Sequence, residues 1–132
     1  MVNEKKKKVL LIDDDEIHLI TAELFLKNDY EVYKMKSGSE ALEYLTSNKL
    51  VPNIILLDIV MPNMSGWEVF VKIKAIDSLK NVPIVFLSSI TEEEEKKRAY
   101  KMGIAGFITK PFNMTDLISE IKEVIRKSEI KK

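Results

Sequence analysis

Three aspartates, a serine and a lysine carry most of the chemistry this sequence can offer, and they stand where short apolar runs end. Asp13 and Asp14 follow VLLI (Val9–Ile12), Asp58 follows IILL (Ile54–Leu57), Ser88 follows IVFL (Ile84–Leu87) and Lys110 follows GFIT (Gly106–Thr109). Brought together, the three acids would repel one another if all were ionised, so a proton or a cation has to sit among them. A divalent cation is the better answer. All-oxygen ligands without Cys or His suit a hard ion, and a small open carboxylate cluster with room for water and a phosphate suits Mg2+ better than Ca2+. Lys110 adds one fixed positive charge, or a salt bridge to one of the acids, and Ser88 adds a hydroxyl. A carboxylate nucleophile, a cation, a lysine and a hydroxyl together describe a site for a phosphoryl group. Nothing resembles a glycine-rich phosphate loop, so ATP is not the implied donor. Helix capping is the plainer use of such acids. It suits Asp15 and Glu16, but not Asp58, which precedes no immediate helix.

These residues need elements that end at one place. A short apolar run bounded by turn residues reads as a strand buried on both faces, whose end is the one point where its charge can reach water. Val9–Ile12, Tyr30–Met35, the run ending at Asp58, Ile84–Leu87 and Gly106–Thr109 give five strands. Between them lie helical patterns: acids at 13–16 leading into apolar Ile17, Ile20, Leu24 and Phe25; a capping-box spacing at Ser37–Glu40 before Ala41, Leu42 and Leu45; and a start near Ser65 before Val69, Phe70, Ile73 and Ile76. Thr91 to Glu94 open a fourth helix that Gly103 ends as a left-handed cap, and Asn113 caps a fifth with Leu117, Ile118, Ile121, Val124 and Ile125 inward. Five alternating strands and helices imply right-handed crossovers and a parallel sheet covered on both faces, a three-layer α/β sandwich. Its ligand crevice lies at the carboxyl ends of the strands.

Composition bounds the rest. The 132 residues fit one domain, 1–132, and Lys plus Arg balance Asp plus Glu at 21 each, which leaves no overall basic field for nucleic acid or anionic membrane. Lys5–Lys8 read as a solvated end and Lys127–Lys132 as a fraying tail. Glu92, Glu93 and Glu94 stand four residues before Lys96, Lys97 and Arg98, so that run reads as a solvated helix face with i,i+4 pairs. The absence of Cys excludes a disulfide framework and suits a reducing compartment. With no membrane-length apolar run and no signal peptide, a cytoplasmic protein is the expectation.

The acid pair in LLIDDDE, the segment LLDIVMPNMSG, the strand ending in Ser88-Ser89, and ITKPF, taken in this order, resemble a response-regulator receiver domain of two-component signalling, similar to the chemotaxis receivers, over roughly Lys8 to Lys127. The resemblance implies a flavodoxin-like sheet in the order 2-1-3-4-5. It implies that Asp58 accepts a phosphoryl group from a phosphohistidine on a sensor histidine kinase or phosphotransfer protein, or from a small acyl phosphate. By the same resemblance Asp14, Asp58 and the backbone carbonyl of Val60 hold Mg2+ with help from Asp13. Lys110 then pairs with a phosphoryl oxygen beside a cis Lys110-Pro111 bond, and Ser88 moves to the phosphoryl group. Phe107 occupies the aromatic switch position, where many relatives carry Tyr. The domain would catalyse only its own phosphorylation and dephosphorylation, pass its signal to a downstream protein or a missing output domain, and dimerise on phosphorylation. The helix from Glu92 to Met102, the fifth strand and the last helix form the expected partner face. Val60 and Ile90, apolar where many receivers carry polar side chains near the hydrolytic water, predict a slowly decaying acyl phosphate.

Two other readings compete. Asp13 and Asp15 stand one apart after an apolar strand, as the nucleophile and acid of haloacid-dehalogenase-like phosphatases do, but only Asp116 follows Lys110 where that family needs a further acidic pair. A receiver cut from a longer regulator or hybrid kinase is the other. His18, the one histidine, reads as a helix-surface residue, because the donor histidine of this chemistry belongs to the partner, and Trp67 reads as a partly covered helix residue.

Overall fold

The apolar runs form a single five-stranded sheet in a computed structural model that describes residues 5–47, 50–89 and 92–130. The strands are β1 (Lys7–Ile12), β2 (Tyr30–Met35), β3 (Ile54–Asp58), β4 (Ile84–Ser88) and β5 (Gly106–Thr109), all parallel and in the order β2-β1-β3-β4-β5. The helices are α1 (Glu16–Leu26), α2 (Gly38–Ser47), α3 (Gly66–Lys74), α4 (Glu93–Met102) and α5 (Met114–Ile130). Every residue of β3 and β4 is buried, as central strands covered on both faces must be. Alternate strand residues feed two cores. Leu10, Ile12, Ile55, Leu57 and Phe86 pack with Ala41 and Leu45 of α2, Val69, Phe70 and Ile73 of α3, and Ala99 of α4. Val9, Leu11, Ile54, Leu56, Val85 and Leu87 pack with Leu19, Ala22 and Leu26 of α1 and Leu117, Ile121, Val124 and Ile125 of α5.

Several local expectations are corrected. The first strand begins two residues early, because Lys7 and Lys8 pair with Tyr30 and Glu31, so half of the basic cluster is sheet and Lys7 forms an ion pair with Glu129. In α1 the inward residues are Leu19, Ala22 and Leu26, whereas Ile17, Ile20 and Leu24 are exposed at 73%, 45% and 57%. Both triplets have helical spacing, so periodicity could not choose between them. Packing chooses: Leu19, Ala22 and Leu26 join Val9, Leu11 and the inward residues of α5 in one core, while Asp15 caps the helix by accepting from the Ile17 and His18 amides. The last helix does not fray at Lys127 but continues to Ile130. A 3-10 turn, Asp77–Leu79, follows α3 and buries Leu79. Thr91 lies outside the described residues, and Glu92 stands at the cap position of α4 without a side-chain capping bond. Of the i,i+4 pairs expected on α4 none closes among the described residues; Arg98 pairs with Glu95 at 3.6 Å, one turn away, since exposed charges gain little by leaving water.

The helices differ greatly in how firmly they are held. α5 buries four residues and α3 four, but α4 buries Ala99 alone out of its ten. Its end is well defined all the same: Gly103, with φ 104°, donates its amide to the Ala99 and Tyr100 carbonyls. Few buried apolar contacts mean low local stability. Backbone amides of α4 are therefore expected to exchange with deuterium at least about tenfold faster than those in the middle of α5. Equal protection of the two helices in native-state exchange would refute this ranking.

Candidate functional site

The sheet register brings the acids together. Ile12 of β1 is level with Leu57 of β3, so the residues that follow, Asp13 and Asp58, leave the sheet side by side. On the other side of β3, Asp58 is level with Leu87, and Ser88 is level with Thr109, which places Ser88 and Lys110 at the adjoining strand ends. The Lys110 amide donates to the Ser88 carbonyl at 2.8 Å and fixes where the lysine leaves β5. The Lys110-Pro111 bond is cis, as expected.

The loop after β3 is fixed by backbone contacts. Ile59 donates to the Leu87 carbonyl at 3.3 Å, and Gly66, the first residue of α3, donates to the Ile59 carbonyl at 2.7 Å. Asn63 turns the loop with φ 69°. Gly66 packs so closely that a Cβ there would lie 2.4 Å from the Asp58 carbonyl oxygen and 2.7 Å from Ile59 Cα. Only glycine fits that approach.

At the centre of the site stands one ammonium. Lys110 Nζ donates to Asp13 Oδ2 at 2.8 Å, pairs with Asp58 Oδ1 at 3.3 Å and lies 3.1 Å from His18 Nδ1. Asp13 is 1% exposed, and its other oxygen accepts from the Asp15 amide at 2.9 Å. Asp58 is only 6% exposed, so the strand end does not carry its charge into open water as its position suggested. Burial, and then the negative charge of Asp13, push the Asp58 carboxyl up from 3.8 to about 6, against the pull of Lys110. Asp13, Asp14 and Asp58 each offer one carboxylate oxygen within 4.8 Å of the others. Two buried acids and one exposed one make a set of hard oxygen donors open on one side, which fits a small divalent cation.

A cleft of about 460 Å3 opens beside these groups and is lined by Asp14, His18, Asp58, Val60, Ser88 and Lys110, among others. Ser88 is buried at its edge, while Val60 is 69% exposed. Phe107 lies outside the cleft, half-buried, with its ring edge-on to Phe86 at 6.2 Å and the Lys96 ammonium 5.5 Å above it. Trp67 is partly covered, as expected, and meets Phe86 edge-on at 5.0 Å. Ile90 lies outside the described residues. His18 is the correction: it is not a plain surface residue but touches Lys110 and reaches within 3.4 Å of Asp13. Its spacing held the signal, since three residues past the Asp15 cap is one turn into a helix that starts at the acid cluster.

Comparison with known proteins agrees with this geometry. Residues 9–122 match the response regulator receiver domain family, and the chain belongs to that family. It is 36% identical over 124 residues to the cell cycle response regulator CtrA of Brucella ovis, covering 92% of this chain and 51% of that protein. It is 32% identical over 118 residues to the transcriptional regulatory protein CrdR of Helicobacter pylori, covering 89% of this chain and 54% of that one. The chain thus spans about half the length of these curated relatives. Among solved structures, the chemotaxis protein CheY4 of Vibrio cholerae superposes with a TM-score of 0.84 at 30% identity, over 90% of this chain and 98% of that one. A CheY-like receiver domain of Methanospirillum hungatei superposes with a TM-score of 0.86 at 26% identity, over 97% and 100%. The fold class and the family implied by the sequence motifs are both met, and with them the class of function: a signalling switch governed by phosphorylation.

Two consequences of the geometry can be measured. A Gly66→Ala substitution forces a methyl against the Asp58 carbonyl, and urea unfolding is expected to lose on the order of 1–3 kcal/mol; an unchanged midpoint would show that the loop yields freely. The second concerns pH. Because the folded protein keeps the Asp58 proton up to about 6 while an unfolded chain releases it near 3.8, the folded state binds more protons between those values. Its stability therefore falls as pH rises through that window and stays lower above it. In chelator, Asp58→Asn should match the parent near pH 4 and exceed it above pH 6 by an amount on the order of 3 kcal/mol. A parallel pH dependence for the two proteins would contradict this.

Proposed function

We propose that this chain is one receiver domain spanning 1–132 and that Asp58 is its phosphoacceptor. The observation that carries the reading is the pairing of a buried carboxylate with a lysine at 3.3 Å on the rim of an acid-lined cleft. An Asp58 carboxylate oxygen attacks phosphorus, the bond from phosphorus to the donor nitrogen or acyl oxygen breaks, and that atom leaves with the electron pair. Lys110 stands where it can bind a phosphoryl oxygen, and Ser88 can donate its hydroxyl to another. Asp14, Asp58 and the Val60 carbonyl, with Asp13 beside them, would hold Mg2+. The ion supplies positive charge where acids would otherwise repel the incoming anion. The domain acts only on its own phosphorylation state, so it works as a switch and not as an enzyme with a separate substrate.

The donor is a phosphohistidine on a sensor histidine kinase or phosphotransfer protein in the cytoplasm. The receiver's output goes to a downstream protein or to an output domain of a longer chain, through phosphorylation-dependent contacts that include dimer formation. The face of α4, β5 and α5 is the proposed contact surface, with Ser88 and Phe107 linking it to the site. A depression of about 810 Å3 runs along β5 and α5 there and shares Pro111 with the acid-lined cleft. The phosphatase reading is disfavoured by one contact: the carboxylate of Asp15, its would-be acid, is committed to capping α1.

Incubation with acetyl phosphate and Mg2+, followed by prompt intact-mass measurement, is expected to add one phosphoryl group. Chelator should abolish the labelling, and so should Asp58→Ala; label persisting in either case would sink the assignment, and label on Asp13 would favour the phosphatase. The lifetime of the acyl phosphate is a separate expectation. With apolar residues at Val60 and Ile90, two positions after Asp58 and Ser88 in sequence, the phosphoryl group should decay slowly, and Val60→Asn with Ile90→Glu should speed its loss by on the order of tenfold or more once the donor is removed. Equal lifetimes would mean that these two positions do not set the rate.

A further inference from the structure

The ammonium of Lys110 has three protons and three partners: Asp13 Oδ2, Asp58 Oδ1 and His18 Nδ1. The lysine side chain is 11% exposed, so a lost partner is not simply replaced by bulk water. An ammonium only donates, so as a hydrogen bond the 3.1 Å contact has His18 Nδ1 presenting its lone pair and the proton on Nε2; the same nitrogen lies 3.4 Å from Asp13 Oδ2, the acceptor that the opposite tautomer would use. Nε2 faces Asp15 Oδ2 at 3.7 Å, the carboxylate that caps the same helix. The imidazole thus has its Nε2 on the Asp15 side, beyond hydrogen-bond distance, and its Nδ1 on Lys110.

The three partners are not equivalent. Asp13 and Asp58 belong to the acid cluster, and any cation or phosphoryl group drawn there competes with Lys110 for their oxygens. His18 is outside the group of three carboxylates that can share one ion. Its contact with Lys110 is therefore not one that a cation drawn to the carboxylates competes for directly.

We infer that His18 is a positioning residue, whose Nδ1 keeps the Lys110 ammonium aimed at the Asp58 side of the cleft while a phosphoryl group is bound there. The inference rests on the reading of Asp58 as phosphoacceptor. Without His18 the lysine keeps its charge but loses the contact that holds it in place, so the loss falls on phosphoryl binding and not on the cation.

Two measurements test it. In the metal-free protein, 15N NMR of the His18 ring at neutral pH should show the proton on Nε2; a proton on Nδ1 overturns the inference without any substitution. Next, His18→Phe keeps a ring but removes the acceptor, and His18→Asn offers an amide oxygen near the place of Nδ1. Beryllofluoride, as a phosphoryl analogue, should bind His18→Phe on the order of tenfold more weakly than the parent in saturating Mg2+, with the Mg2+ affinity within about twofold. His18→Asn should recover most of the loss. Parent-like beryllofluoride binding by His18→Phe overturns the inference, and so does an equal loss in both variants. Failure of the phosphoacceptor reading looks different: the parent itself would then bind no beryllofluoride, or Asp58→Ala would still bind it.

Discussion

The structure depends on how one ammonium is set against three carboxylates at the edge of an otherwise apolar sheet. Lys110 reaches Asp13 and Asp58 but does not offset the burial of Asp58 and the charge of Asp13 beside it, which together push the Asp58 carboxyl up to about 6. Buried charges without full compensation are costly. A protein designed only for stability would place apolar residues there. Retaining the deficit leaves a site that gains from any cation that enters it, and places a buried carboxylate beside a lysine that can receive an anion.

That arrangement rests on ordinary parallel-sheet geometry. Parallel pairing forces all five strands to finish on one edge, and the registers of β1, β3, β4 and β5 then decide which side chains meet. A one-residue slip of β3 against β1 would turn Asp58 to the other face and separate it from Asp13. Both faces of the central strands are apolar, so register there rests on how the side chains pack in the two cores and not on polar alternation. Hydrogen bonds from Ile59 and Gly66 then hold the loop after Asp58 against β4 and α3.

Much of this was legible in the sequence because strands buried on both faces leave an unmistakable pattern: continuous apolar runs closed by a polar residue. The parallel sheet, the meeting of Asp13, Asp14 and Asp58, and the neighbourhood of Lys110 and Ser88 all follow from it. The order of the strands came from the resemblance and not from the pattern. The rotation of α1 was not legible, since Ile17, Ile20 and Leu24 compete with Leu19, Ala22 and Leu26 at the same spacing and packing against β1 and α5 decides between them. His18 was misjudged for the same reason, because its direction depends on that rotation. The role of Gly66 depends on an approach between two backbones distant in sequence, which no local pattern records.

The slight burial of α4 bears on how a signal could be read out. Holding Ala99 in the core offers a return of about 0.8 kcal/mol for its methyl group, whereas α3 is locked down by Val69, Phe70 and Ile73. The sheet therefore has one stiff flank and one compliant flank, with Asp58 between them. A single charge-assisted hydrogen bond is worth as much as the anchorage of the compliant side. For an element held this weakly, a small free energy is a large share of what keeps it in place. On the proposed role of Asp58, the looseness of α4 makes it the helix on that side of the sheet that a modest covalent event would move at least cost.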